Sequence, residues 1–157
     1  MFVALTYTVV VNGTLPAYFT HYNNDTKTDS FFCAKTITLS NEKNTVTIRI
    51  NVEINLKNTQ FFIVTECDGI KGCNENDILT FYMEDEEMQL TSGQEFNCRG
   101  VSVFTPDSRQ IQSLMKNKII KVRFQNGRSM DYYELALNED ESTYFMNACK
   151  AYQLAVN

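Results

Sequence analysis

Residues Thr45 to Lys57 alternate without a break: Val46, Ile48, Ile50, Val52, Ile54 and Leu56 are apolar, while Thr45, Thr47, Arg49, Asn51, Glu53, Asn55 and Lys57 are polar. Side chains of a strand project to opposite faces with a period of two, so this segment is a β-strand with one face on a core and the other in water. At ~3.3 Å per residue it runs roughly 40 Å, long enough to bridge two sheets or bend around a barrel. Weaker versions of the same pattern predict strands at about 3–11, 31–40 and 59–66, then 78–83, 87–91 and 100–104, and finally 118–125 and 128–137.

Two helices interrupt the strands. Thr105-Pro106-Asp107 is a helix start, with a capping hydroxyl, a proline at the first helical position and an acid in the first turn, followed by the stripe Ile111, Leu114 and Met115. Asn138 and Glu141 have the spacing of a capping box, and Phe145, Ala148, Cys149 and Tyr152 form one apolar face behind it. Between the helices, Gln125-Asn126-Gly127 predicts a hairpin. A two-residue Asn-Gly turn would set Asp131 opposite Val122. A type I turn with Gly127 in the left-handed bulge position instead pairs Val122 with Met130, Lys121 with Asp131 and Ile120 with Tyr132, and is the preferred register. The predicted fold is mainly β with some helix (α+β). It is an antiparallel sandwich or partly open barrel, carrying one short inserted helix and a C-terminal capping helix in a single domain over residues 1–157.

Composition narrows the partners. The formal net charge is −5 and the basic residues are scattered singly, which argues against nucleic acid or an anionic membrane surface as the main ligand. No apolar run approaches the ~20 residues of a membrane span, so no membrane insertion is expected. The five cysteines, Cys33, Cys67, Cys73, Cys98 and Cys149, leave at least one unpaired, which favours a cytoplasmic or virion setting, with a secreted form after signal-peptide trimming as the alternative. Cys33 and Cys149 read as small buried apolar residues. A Cys67–Cys73 bridge is a further possibility, and metal ligation by Cys67, Cys73 and Cys98 lacks the paired spacing or nearby histidine that zinc needs.

The stretch Lys118 to Tyr152, a hairpin running straight into an amphipathic helix, resembles the end of pleckstrin-homology-like domains. That likeness implies binding of a protein or a phosphoinositide, and the absence of a basic strand-loop cluster leaves the protein. A second set of segments, Ile78-Leu-Thr-Phe-Tyr-Met83, Cys98-Arg-Gly100 and Thr105-Pro-Asp107 to Phe124, resembles small β-rich proteins of bacteria and their phages. Where those proteins carry an Asp-Gly turn this chain has Glu84-Asp85-Glu86-Glu87, and the likeness implies no activity.

Candidate chemistry is sparse. His21 is the only histidine, so neither a two-histidine site nor a histidine-rich metal site can form, and no GxSxG, P-loop, GxGxxG or HExxH element is present. Glu66, Asp68, Glu75 and Asp77 surround two glycines in an oxygen-rich loop, but their spacing misses the EF-hand pattern and a solvated connection is the reading adopted. No metal, cofactor or catalytic residue is assigned. The expected function is a non-catalytic protein-interaction or structural domain, such as a phage virion accessory or bacterial surface module. Alternatives are a small-ligand carrier in a β-barrel and an acidic inhibitor of a host defence enzyme. Contacts to a protein partner, or to a second copy, are expected from Tyr18, Phe19, His21 and Tyr22 at the start of a polar loop reaching Asp29, and from the polar face of the central strands.

Overall fold

The computed structural model describes residues 5–7, 19–23, 30–34, 36–43, 45–55, 60–70, 72–93 and 96–156, with the backbone alone described for the first three of these segments and for 154–156. In chain order the elements are β1 (Leu5–Tyr7), β2 (Phe19–Asn23), β3 (Ser30–Ala34), β4 (Ile37–Ser40), β5 (Thr47–Asn55) and β6 (Gln60–Asp68). They continue with β7 (Ile78–Met83), β8 (Glu87–Thr91), β9 (Val101–Phe104), α1 (Ser108–Lys116), β10 (Ile119–Gln125), β11 (Tyr132–Ala136) and α2 (Glu139–Val156). One antiparallel sheet has seven strands in the order β1-β2-β3-β5-β6-β9, with β4 also pairing β5, and the second has four in the order β11-β10-β7-β8. Neither closes on itself among the described residues, so the sandwich-or-barrel alternative resolves to an α+β sandwich.

The alternation in β5 is real: Ile48, Ile50, Val52 and Ile54 are buried, and Thr47, Arg49, Asn51 and Glu53 are not. Of the expected strand at 31–40, two pieces form. β3 sets Phe32 opposite Ile54, whereas β4 sets Ile37 and Leu39 opposite Ile50 and Ile48, a slip of one residue on the same edge of β5. The two pieces are thus one residue out of register with each other along β5, the local irregularity of a bulge. Between the paired stretches Val52 N–H donates to the Tyr144 hydroxyl at 3.1 Å, so a helix side chain fills the break in the ladder.

One hydrophobic cluster runs through both sheets and both helices. Phe61, Ile63 and Phe104 face Leu79, Phe81, Val122 and Phe124 across the interior, and α2 reaches both layers through the edge-on ring pairs Phe81–Phe145 (4.9 Å) and Phe61–Tyr152 (5.3 Å). The capping box of α2 forms as its spacing predicts: Glu141 N–H donates to Asn138 Oδ1 at 2.9 Å and Asn138 N–H to Glu141 Oε2 at 2.8 Å. Helix α1 starts later than expected. Its N-cap is Asp107, which exchanges bonds of 2.8 and 2.9 Å with Gln110. Three residues after Thr105 stands Ser108, too short to return the bond, so the cap moves to the residue whose third neighbour can. The turn Glu84 to Glu87 is exposed but not merely solvated, because Glu86 accepts from Ser113 and Asn117 at the end of α1, at 2.6 and 3.2 Å.

Candidate functional site

Asp77, the residue before β7, is fully buried. A buried carboxyl group is tolerated only where donors converge on it. Its Oδ2 accepts from the Ser102 hydroxyl at 2.5 Å and the Asn74 amide at 2.6 Å, and its Oδ1 accepts from Gly127 N–H at 2.9 Å. Asp77 N–H donates to Ser92 Oγ, and Ser92 N–H returns a bond to the Asp77 carbonyl, both at 2.8 Å. One residue thus ties together the segment before β7, strand β9 and the β10–β11 loop through its side chain, and the end of β8 through its backbone. A disulfide between Cys73 and Cys98, with reciprocal backbone bonds of 2.7 and 3.1 Å between Asn74 and Asn97, fastens the same segments from outside.

This knot overturns several sequence expectations. Cys73 pairs with Cys98, not Cys67, which also rules out a site built from those three thiols. Cys67 is buried, and burial, with Asp77 nearby, pushes its thiol up to about 12, so it is protonated at neutral pH and is neither a nucleophile nor a ready ligand. Cys149 is buried as expected, and burial raises its thiol as well. The four acids of the supposed calcium loop do not converge. Glu66 and Asp68 pair with Arg49 at 2.9 and 2.5 Å, Glu75 pairs with Arg128 at 3.2 Å, and Asp77 is inside. Cys73, Asn74 and Asp77 anchor the end of the loop, while Gly69, Gly72 and Asn76 are exposed as a solvated connection has them.

The hairpin register differs from both expected ones. Gln125 pairs with Tyr132, Phe124 with Tyr133 and Val122 with Leu135, leaving Asn126 to Asp131 as a wider turn. Buried Asn126 organises it: Oδ1 accepts from Arg128 and Ser129 N–H at 3.0 and 2.9 Å, and Nδ2 donates to the Cys73 carbonyl at 3.2 Å. Gly127 does not take positive φ, whereas Met130 does, at 65°. Glycine is needed at 127 for close approach, since a Cβ there would overlap the carbonyl oxygens of Glu75 and Asn76.

Outside the knot lies a cleft of about 430 Å³ between Ser92, Gly93, Phe96 and Asn97 on one side and Val101, Ser102, Val103 and Thr105 on the other. Its floor is the buried polar set Asn74, Ser92 and Ser102, whereas Phe96 is 53% exposed and Val103 41%. Arg99 stands on the same rim and pairs with no acid among the described residues, and the Arg128 guanidinium lies 5.1 Å from the Phe96 ring centre. Strand β9 is an edge strand, yet the outward groups of Val101 and the Val103 carbonyl are occupied. Gly93 N–H donates to the Val103 carbonyl at 3.0 Å, and the Asn97 side chain bonds both Val101 N–H and carbonyl, at 3.3 and 2.7 Å.

Of the residues expected to form the working surface, Tyr18 lies outside the described residues. Phe19, His21 and Tyr22 fall in strand β2, where His21 pairs with Leu5 and Phe32, so this part of the chain is sheet and not loop; their side chains are also outside the described set. The polar face of the central strands is occupied internally, with Arg49 held by Glu66 and Asp68 and Asn51 bonded to Glu53 at 3.1 Å. The outer face of the four-stranded sheet behaves alike. Lys121 and Arg123 stack on Tyr82 and Tyr132, at 4.5 and 4.6 Å, and both pair with Glu134, whose carboxyl is held below its usual range first by Arg123 and then by Lys121. At the cleft rim exposed apolar side chains stand beside an arginine with no acid partner among the described residues. No family model, curated protein or solved structure matches the chain.

Proposed function

We propose that the protein is a non-catalytic protein-interaction domain whose working surface is the rim of the cleft beside β9. The observation that carries this reading is the grouping of Phe96, Val103 and unpaired Arg99 on one rim, since exposed aromatic and arginine side chains are the usual anchors of protein interfaces. The interior favours surface binding over carriage of a ligand, because Phe61, Phe81, Phe104, Phe124 and Phe145 are all fully buried and fill the space between the layers. A virion accessory or bacterial surface module is the setting suggested by the likeness of residues 78–83, 98–100 and 105–124 to small phage and bacterial proteins. The Cys73–Cys98 disulfide favours an oxidising place within that setting, against the weight first given to the odd cysteine count.

Site-specific photo-crosslinking tests the reading. A benzophenone side chain at position 96 should yield a discrete protein adduct in the producing cells, while the same group at exposed position 84 should not. Equal labelling from the two positions, or none from 96, would put the working surface elsewhere.

A further inference from the structure

Resting on the reading of the rim as an interaction surface, we infer that the cleft receives an extended acidic peptide segment, with a carboxylate on Arg99 and an adjacent apolar side chain against Phe96 and Val103. The argument is one of charge and of what is already satisfied. Acids outnumber bases 19 to 14 in the chain, and the basic side chains of the sheets are committed: Arg49 to Glu66 and Asp68, Lys121 and Arg123 to Glu134, Arg128 to Glu75. Arg99 is exposed and has no such partner among the described residues, and no acid lines the cleft beside it. Its planar fork matches a carboxylate with two parallel bonds, a match that lysine lacks. Arg128, itself paired with Glu75, lies over the Phe96 ring and holds that ring at the apolar end of the same rim. Because β9 already has Gly93 and Asn97 on its outward groups, the segment does not add as a strand; it is held through its side chains. A volume of about 430 Å³ accommodates a few side chains and not a folded surface. The net charge of −5 repels a long polyanion beyond the local contacts, which favours a short acidic stretch over a nucleic acid.

The test is a fluorescence-anisotropy titration of the whole protein with three labelled probes: an end-blocked peptide alternating Glu and Leu, its Lys-for-Glu counterpart, and a short single-stranded oligothymidylate. The Glu peptide should bind, with affinity falling as NaCl is raised, and the other two should not. Arg99→Glu should weaken that binding by about tenfold or more while leaving the melting curve unchanged, and Arg109→Glu on the exposed side of α1 should leave binding as it was. Equal or tighter binding of the Lys peptide or the oligonucleotide, or an Arg99→Glu variant that binds like wild type, would overturn the inference. If the Glu peptide fails to bind while position 96 still crosslinks to a protein, the acidic chemistry is wrong and the interaction reading stands. A peptide that binds with the expected salt and Arg99 dependence while position 96 captures nothing supports the site chemistry and removes the proposed cellular role.

Discussion

Replacing Asp77 by alanine removes the acceptor for three donors at once: the Asn74 amide, the Ser102 hydroxyl and Gly127 N–H. The hydroxyl can rotate, and Asn74 Nδ2 already stands 3.4 Å from Ser102 Oγ, so that pair recovers part of its loss. Two buried donors remain poorly satisfied, at about 1–3 kcal/mol each, and the vacated volume adds a smaller term, giving a loss of about 4 kcal/mol. That is a large share of the ~5–15 kcal/mol typical of a whole domain. Asp77→Asn keeps one acceptor oxygen. Turned toward Asn74 and Ser102, it leaves its NH₂ against Gly127 N–H, donor to donor, and should cost about 2 kcal/mol. Urea unfolding of the three proteins should therefore rank wild type above Asn above Ala with a constant m value. Native-state hydrogen exchange should show faster opening at Gly127 and Asn74 in the alanine variant while the β5 amides stay protected. A loss below about 1 kcal/mol for alanine, or an asparagine variant as stable as wild type, would refute the view that this carboxyl organises the loops.

Four further outcomes follow from the same geometry. Gly127→Ala should cost roughly 2 kcal/mol or more in denaturant melts, because the added methyl meets the Glu75 and Asn76 carbonyls; full tolerance would show that the loops do not approach as described. Ile50→Asp should unfold the protein, whereas Asn51→Asp, placed near Glu53 on the outer face, should cost only a few tenths of a kcal/mol; equal losses would contradict the strand register. Tyr144→Phe should lose about 1–2 kcal/mol in the same melts by stranding Val52 N–H at the break between β3 and β4, and no loss would mean another group takes its place. Cys67 has a folded-state thiol raised from 9.0 to about 12, so the folded state holds its proton longer than the unfolded chain. The stability this contributes is complete below pH 9 and drains as pH rises toward 12, and Cys67→Val should make the fall between pH 8 and 10.5 shallower; an unchanged slope would place the thiol in contact with solvent.

The sequence by itself determined the elements whose cause is local. A run of alternating Ile and Val commits β5 to one buried face whatever lies above it, and Asn138 with Glu141 caps α2 from its own first turn. The same local logic gave β7 and β8 with the bounds the pattern predicts, and the sandwich class follows from many short strands flanked by two amphipathic helices. Tertiary structure decided whatever depends on a partner distant in sequence. Asn126-Gly127 reads locally as a tight turn, yet the loop before β7 claims the Asn126 side chain through Cys73 and the Gly127 amide through Asp77, which widens the turn and moves the register. Asp77 looks like one more acid in a polar loop, and only the arrival of Ser102 and Gly127 makes burying its carboxyl tolerable. The cleft is of the same kind. Phe96, Arg99 and Val103 follow no period and carry no motif, and they become one rim because the Cys73–Cys98 disulfide and the Asn74–Asn97 pair fold the segment before β9 back along that strand's edge.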